Sequence, residues 1–145
     1  VRRPAVDQRE VIEEGELSLE KGLVGDSWVE RSTDRDTQVT LMNARCIDLL
    51  AKSQDRWELA GDQFYVDLDL STENLPPGTR LQLGSAVIEV ATQPHRGCGK
   101  FSRRFGVEAL RFVNSGVGQQ LRLRGLYARV VLPGTASRGD TISKC

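Results

Sequence analysis

Residues 64–71 read Phe-Tyr-Val-Asp-Leu-Asp-Leu-Ser, an apolar–polar alternation with the two-residue period of an extended chain. Phe64, Val66, Leu68 and Leu70 fall on one face, and Tyr65, Asp67 and Asp69 on the other, which is the pattern of a half-buried strand. A strand of this kind needs partners, and the chain supplies them. "QVTLMNA" (38–44) is a β-rich apolar run, 79–83 is a short strand after a Pro-Pro-Gly turn, and 86–93 is joined to it through Gly84-Ser85, a two-residue hairpin signal. "QQLRLRG", "LYARVVLPG" and "GDTISK" read as further strands, and "EVIEEGELSL" as at most a short one. Helical spacing of Ile47, Leu50, Ala51 and Trp57 predicts a helix over about 45–55, in a unit ended by Gly61. After Pro94, "GKFSRRFGVEALRFVN" predicts two short helices or one kinked at Gly106. Seven or so short strands with two or three inserted helices imply a mostly β (α+β) domain. The expected architecture is a partly closed β-barrel with short helices on its rim.

A chain of 145 residues reads most simply as one domain over 1–145, able to bury about 68–70% of its unfolded surface without a disulfide or metal. Residues 1–36 are polar and turn-rich, and no internal repeat is visible. No apolar run approaches the roughly 20 residues that span a bilayer, and the opening "VRRPAVDQRE" has no apolar signal region. The first residue is Val1 rather than Met, which predicts a trimmed N-terminus. Three widely spaced cysteines, with no CxxC pair and a single histidine, predict free thiols in a reducing, cytoplasmic compartment and no zinc site. The formal charge is zero but unevenly spread: residues 1–75 carry 17 acids and 9 bases, residues 76–145 carry 3 acids and 11 bases. Either the halves neutralise each other, or the second builds a basic pocket for an anionic ligand. A zero total argues against nucleic acid as a partner, and Phe101, Phe105 and Phe112 are spaced as the buried face of a helix rather than as a stacking platform.

The stretch "QPHRGCGKFSRRFG" (93–106) concentrates the chemistry. Cys98 stands between two glycines, beside the only histidine, His95, and near Arg96, Lys100, Arg103 and Arg104. A thiol where a strand gives way to a helix meets unpaired backbone N–H groups and the positive end of the helix dipole. Those groups, with the cations, favour thiolate: a thiol of ordinary pKa is only about 3% ionised at pH 7, and one near 6 is about 90% ionised. Gly97 and Gly99 remove bulk on both sides, so a large partner could approach. The setting suits a nucleophile, a persulfide carrier or a ligand to a soft metal, and the competing reading is a small buried side chain. Cys46 falls on the apolar face of the 45–55 helix and is expected to pack, and Cys145 ends the chain. On the strand expected at "QQLRLRG", Arg122 and Arg124 share a face, with Arg124 beside Gly125 best placed to grip a phosphate. No phosphate-binding loop, dinucleotide fingerprint or nucleophile elbow occurs.

The succession "GLVGDSW", "QVTLMNAR", "AGDQFYVDLDLSTENLPPGTRLQLGSAVIEVATQPHRGCGKFSRRFG", "LRLRGLYARVV" and "GDTI" resembles the MOSC domain, the module named after the C-terminal part of molybdenum cofactor sulfurases. The resemblance runs over about 22–143. It implies a MOSC-like β-barrel with a cleft for molybdenum cofactor (molybdopterin), and not for pyridoxal phosphate. In relatives such as the mitochondrial amidoxime-reducing component, the motif cysteine ligates molybdenum and N-hydroxylated small molecules are reduced. Other members are thought to carry sulfur as a cysteine persulfide. By this resemblance Cys98 is the metal ligand and catalytic residue, His95 a catalytic helper, and Lys100, Arg124 and Asn43 candidate cofactor contacts. An electron-donor or sulfur-donor protein is the implied macromolecular partner, and no membrane is involved. The alternative is a non-catalytic binding module for a phosphorylated small molecule or a protein.

Overall fold

The computed structural model describes residues 1–145. The first quarter holds β1 (Glu14–Ser18), β2 (Gly22–Leu23), α1 (Trp28–Arg31) and a 3-10 helix at Arg35–Thr37. Next come β3 (Val39–Asn43), α2 (Ala44–Ala51), a second 3-10 helix at Gln54–Ala60, β4 (Phe64–Val66), β5 (Arg80–Leu83) and β6 (Ala86–Val90). Three helices follow, α3 (Gly99–Phe105), α4 (Val107–Asn114) and α5 (Gly116–Gln120), before β7 (Leu126–Leu132), β8 (Gly134–Ser137) and β9 (Ile142–Lys144) close the chain.

Six strands form a mixed sheet in the order β4-β3-β7-β6-β5-β9, parallel only between β3 and β4; β2-β1-β8 form a second, antiparallel sheet. Together they nearly close a barrel, and the α+β fold class holds. The chain passes from the larger sheet to the smaller at Pro133, between β7 and β8. Inside lies a cluster of 16 buried residues, among them Leu17, Leu41, Leu81, Ile88 and Val130. A second cluster, including Met42, Cys46, Ile47, Phe101 and Val113, joins β3 to the helices. This explains why Val39 through Met42 are buried without alternation: Val39 and Leu41 belong to the barrel core and Met42 to the helical layer. A strand covered on both faces reads as a continuous apolar run.

The hairpin at Gly84-Ser85 forms as expected, with Leu83 opposite Ala86 and Gly84 at φ +61°. Gly106, at φ +95°, separates α3 from α4. Four expectations change. In 64–71, strand pairing stops at Val66, although burial still alternates beyond it: Asp67 and Asp69 are exposed and Leu70 is buried. Tyr65 does not face solvent; it packs 5.8 Å from Trp57, and its hydroxyl donates to the Trp57 carbonyl at 2.7 Å. "QQLRLRG" is not a strand. Ser115 Oγ accepts from the Gly118 N–H and starts α5, which docks on α4 where a Cβ at Gly118 would meet the Phe112 carbonyl oxygen at 2.3 Å. The five α-helices and two 3-10 helices also exceed the two or three expected, because several span only four to eight residues and lack a full apolar period.

Candidate functional site

The segment after β6 carries Cys98 to the N-cap position of α3, in extended conformation at φ −126° and ψ −177°. Asn114, the last residue of α4, holds it there. Asn114 Oδ1 accepts from the Gly97 N–H at 2.9 Å, and its Nδ2 donates to the Gly97 carbonyl at 3.1 Å. A Cβ on Gly97 would sit 2.7 Å from Leu110 Cδ1 and 3.1 Å from Val113 Cγ2. Gly97 therefore lets the loop lie flat on α4 and does not clear a path to the thiol, which corrects the sequence reading. Gly99 is open, with Arg103 the only neighbour near its missing side chain.

Cys98 is exposed, whereas Cys46 is buried, its thiol donating to the Leu123 carbonyl at 3.4 Å. The backbone N–H groups of Phe101 and Lys100 draw the Cys98 thiol below its ordinary pKa, Arg124 and Arg104 pull the same way, and partial burial opposes them. Burial pushes Cys46 up to about 11.

Cys98 opens onto a recess of about 340 Å³ lined by Arg3, Arg9, Arg31, Lys100, Arg104 and Arg124, with Trp28, Phe101, Tyr127 and His95 completing the walls. Much of that charge is uncompensated. Arg9 donates only to the carbonyls of Glu58 and Gln8, Arg31 only to Ser27 Oγ, and Lys100 has no side-chain bond. Burial, together with Arg104 and Arg3, pulls Arg9 below the ordinary guanidinium range. Arg104 reaches the exposed Asp7 at 3.3 Å and the Leu59 carbonyl. Two recess cations are paired to buried carboxylates. Arg3 grips Asp26 through Nε at 2.9 Å and Nη2 at 2.8 Å, and Arg124 Nη1 meets Asp62 Oδ2 at 2.5 Å. Arg124 Nη2 also donates to the Ala60 carbonyl, and its guanidinium lies over the Phe101 ring at 5.1 Å. Burial raises the Asp62 pKa, and Arg124 opposes the rise. His95 stacks on Tyr127 at 4.3 Å between centroids; burial, with Arg124 and Arg3, holds it well below the ordinary histidine pKa and keeps the ring neutral.

Cys98, His95, Lys100 and Arg124 thus converge on one recess. Asn43 does not join them: it caps α2, accepting from the Arg45 and Cys46 N–H groups and donating to the Leu68 carbonyl. Arg122 and Arg124 do not share a strand face. Arg122 sits at φ +50° and donates to the carbonyls of Leu70 and Leu75, while Arg124 is 9% exposed. Of the phenylalanines, Phe101 is buried and packs on Phe105, while Phe112 is 45% exposed. The basic pocket is not built by the second half alone, since Arg3, Arg9 and Arg31 come from the acidic half. Those three, with Asp62 and Tyr127, are the site residues that sequence reading missed. A larger cavity of about 620 Å³ opens beside Leu23, Phe64, Val66 and Leu83, but it includes neither Cys98 nor His95.

No three His, Cys, Asp or Glu side chains come together as a ready-made metal cage. No helix is long and apolar enough to cross a membrane. Residues 56–143, more than half the chain, match the family model described as the MOSC domain. YiiM from Escherichia coli is similar in structure, with a TM-score of 0.63 and 22% identity over 96% of this chain and 65% of that one. YiiM from Geobacillus stearothermophilus has a TM-score of 0.64 at 16% identity, over 93% and 62% of the two chains. The YuaD protein from Bacillus subtilis has a TM-score of 0.63 at 16% identity, over 90% and 84%. The chain therefore spans a little under two thirds of either YiiM, and at these identities the likeness is one of fold. No curated protein matches the sequence.

Proposed function

The chain belongs to the MOSC domain family, and from that premise we propose that its cationic recess binds a phosphate-bearing molybdenum pterin cofactor, with Cys98 as the one protein ligand to the metal. The carrying observation is the coincidence of a solvent-reachable, thiolate-favouring sulfur with six cations around one recess. The donor set fits such a group. A soft thiolate suits a soft metal, and a chain without a cluster of three candidate ligands suits a metal that brings most of its ligands with an organic part. Arg9, Arg31 and Lys100, free of carboxylate partners, favour a phosphate, and about 340 Å³ is within the small-molecule range.

When bound, the cofactor supplies two-electron redox chemistry, in this reading the reduction of N-hydroxylated small molecules with electrons from a donor protein. The chain's residues bind and orient. The backbone before Cys98 is held at the α3 N-cap by the Asn114 clasp on Gly97. Arg9, Arg31 and Lys100 hold the anionic end, Arg124 braces the floor through Asp62, and the Tyr127–His95 stack forms a rigid wall.

Purification from a host that makes the cofactor tests this. Wild-type protein should carry molybdenum and a pterin that fluoresces after oxidation, and Cys98→Ser should lose the metal. Equal molybdenum in both proteins would remove the ligand assignment. A bound phosphorylated anion that survives Cys98→Ala, with no molybdenum in either protein, would favour the non-catalytic binding module. A persulfide on Cys98 in metal-free protein would favour the sulfur carrier.

A further inference from the structure

Behind the recess, two buried polar atoms face each other without a partner. Asp62 Oδ1 and His95 Nδ1 are 3.7 Å apart, and neither makes any hydrogen bond. The Asp62 carboxylate is fully buried, and its other oxygen is committed to Arg124. The His95 ring is set by its stack on Tyr127, with planes 29° apart. We propose that Asp62 is a positioning residue whose Oδ1 takes the Nδ1–H of His95, leaving His95 Nε2 as a bare acceptor at the Cys98 recess.

The argument is one of pairing. A neutral imidazole carries its proton on one nitrogen or the other, and the partner of one nitrogen decides which. An Nε2–H ring would set a bare nitrogen against an Asp62 oxygen in a dry interior, where only a carboxyl proton, favoured by burial but opposed by Arg124 on Oδ2, could join the two acceptors. An Nδ1–H ring converts the same pair into a donor and a charged acceptor, and a closure of about 0.8 Å brings 3.7 Å into the usual N–H···O range. Arg124 favours this arrangement twice, by drawing Asp62 toward its ionised form and by disfavouring a second proton on His95.

The consequence for recognition follows from the rest of the lining. The six cations only donate, Thr37 Oγ1 accepts from Trp28 Nε1, and Thr40 Oγ1 accepts from the Gln63 N–H. Nε2 of His95 would be the one side-chain nitrogen of the recess able to receive a hydrogen bond, joining the Ser32 and Tyr127 hydroxyl oxygens as acceptors, so it favours a ligand that offers an N–H or O–H beside its anionic group. This last step rests on the cofactor reading above; the tautomer does not.

The chain's single histidine makes the test direct. Long-range proton–nitrogen correlation spectra of metal-free, 15N-labelled protein at neutral pH report one imidazole. Wild type should show a protonated, pyrrole-type Nδ1 and an unprotonated, pyridine-type Nε2. Asp62→Asn should shift the tautomer ratio toward Nε2–H by about tenfold or more, the effect of losing one charge-assisted hydrogen bond. Nε2–H in wild type, a doubly protonated ring, or an unchanged ratio in Asp62→Asn would each overturn the proposal. Should Asp62→Asn fail to fold, wild type decides: an Nδ1 proton slow to exchange with water supports the pairing, and an absent or fast-exchanging one refutes it. Cys98→Ser should keep the wild-type tautomer, so failure of the molybdenum reading and failure of this one remain distinguishable.

Discussion

Removing Arg124 should unbalance the interior in a way that pH reports. Arg124→Met keeps an apolar body of similar length against Phe101 but strips the ionic partner from Asp62, which has no exposure and no other charged contact within hydrogen-bond reach. Breaking a buried pair by deleting one member costs about 3–5 kcal/mol, against a total stability of about 5–15 kcal/mol for an ordinary domain. At about 2–4 °C per kcal/mol for a domain near this size, the melting temperature should fall by roughly 10 °C at pH 8. The sign of the pH dependence follows from Asp62. Burial already raises its folded-state pKa, and without Arg124 the rise is larger, so the folded variant binds a proton that the unfolded chain has released. Its stability therefore falls as pH climbs from the unfolded carboxyl value toward the folded one, and the deficit against wild type narrows as pH is lowered. Urea unfolding of both proteins at pH 5 and pH 8 measures this, and Asp62→Asn/Arg124→Met, which buries no charge, should recover half or more of the loss. A deficit under about 1 kcal/mol, or one that widens on acidification, would refute the placement of Asp62 as a buried partner of Arg124.

Alkylation by iodoacetamide should reach Cys98 with a pH midpoint below the ordinary thiol value of about 8.5, while Cys46, at about 11, should label only on unfolding; mass spectrometry of the labelled peptides separates them, and a Cys98 midpoint at or above 8.5 would contradict the helix-start geometry. Cys98→Ser, at an exposed site, should leave stability within about 0.5 kcal/mol of wild type by thermal melt. Gly97→Ala should cost about 1–3 kcal/mol by overpacking against Leu110 and Val113, and a melt unchanged from wild type would mean that the loop does not lie flat on α4. Inorganic phosphate should raise the wild-type melting temperature in a salt-sensitive way, and Arg9→Ala/Arg31→Ala should abolish that rise; an undiminished rise would place anion binding elsewhere.

Local patterns exposed much of this fold. The Gly84-Ser85 hairpin, the β3 run and the α3–α4 break at Gly106 rest on residues whose own conformation dictates the element, so each could be read from a few neighbours. "QQLRLRG" misled because Leu121, Leu123 and the two arginines alternate like a strand, yet Ser115 caps a helix six residues earlier and Arg122 turns to positive φ to reach the carbonyls of Leu70 and Leu75. Those carbonyls lie about fifty residues away in sequence, and no local pattern announces them. β8 is hidden for a similar reason: "GTAS" has little apolar character, and what makes it a strand is its pairing with β1.

The candidate site divides along the same line. Cys98 was legible because glycines, cations and a strand-to-helix change all fall within a few residues of it. Arg3, Arg9 and Arg31 were not, since a count of charges by halves assigns them to an acidic region, and only folding separates them from the exposed carboxylates of that region. The buried carboxylates Asp26 and Asp62 explain how the recess keeps its positive surplus without tearing itself apart. Each stands behind one guanidinium, Arg3 or Arg124, and anchors it without reaching the cations at the mouth. A recess whose six cations all lacked partners would repel itself in the folded state, and one with six partners would have nothing left for an anion. The observed division, two cations fixed from behind and at least three held only by neutral groups, is therefore what a chain of zero net charge requires to offer a positive site. On that reasoning Arg3 and Arg124 are framework, and substituting them should reduce folding before affinity. Arg9, Arg31 and Lys100 are the charges free to meet an anion, and if the recess binds one, substituting them should reduce affinity while leaving the melt in place.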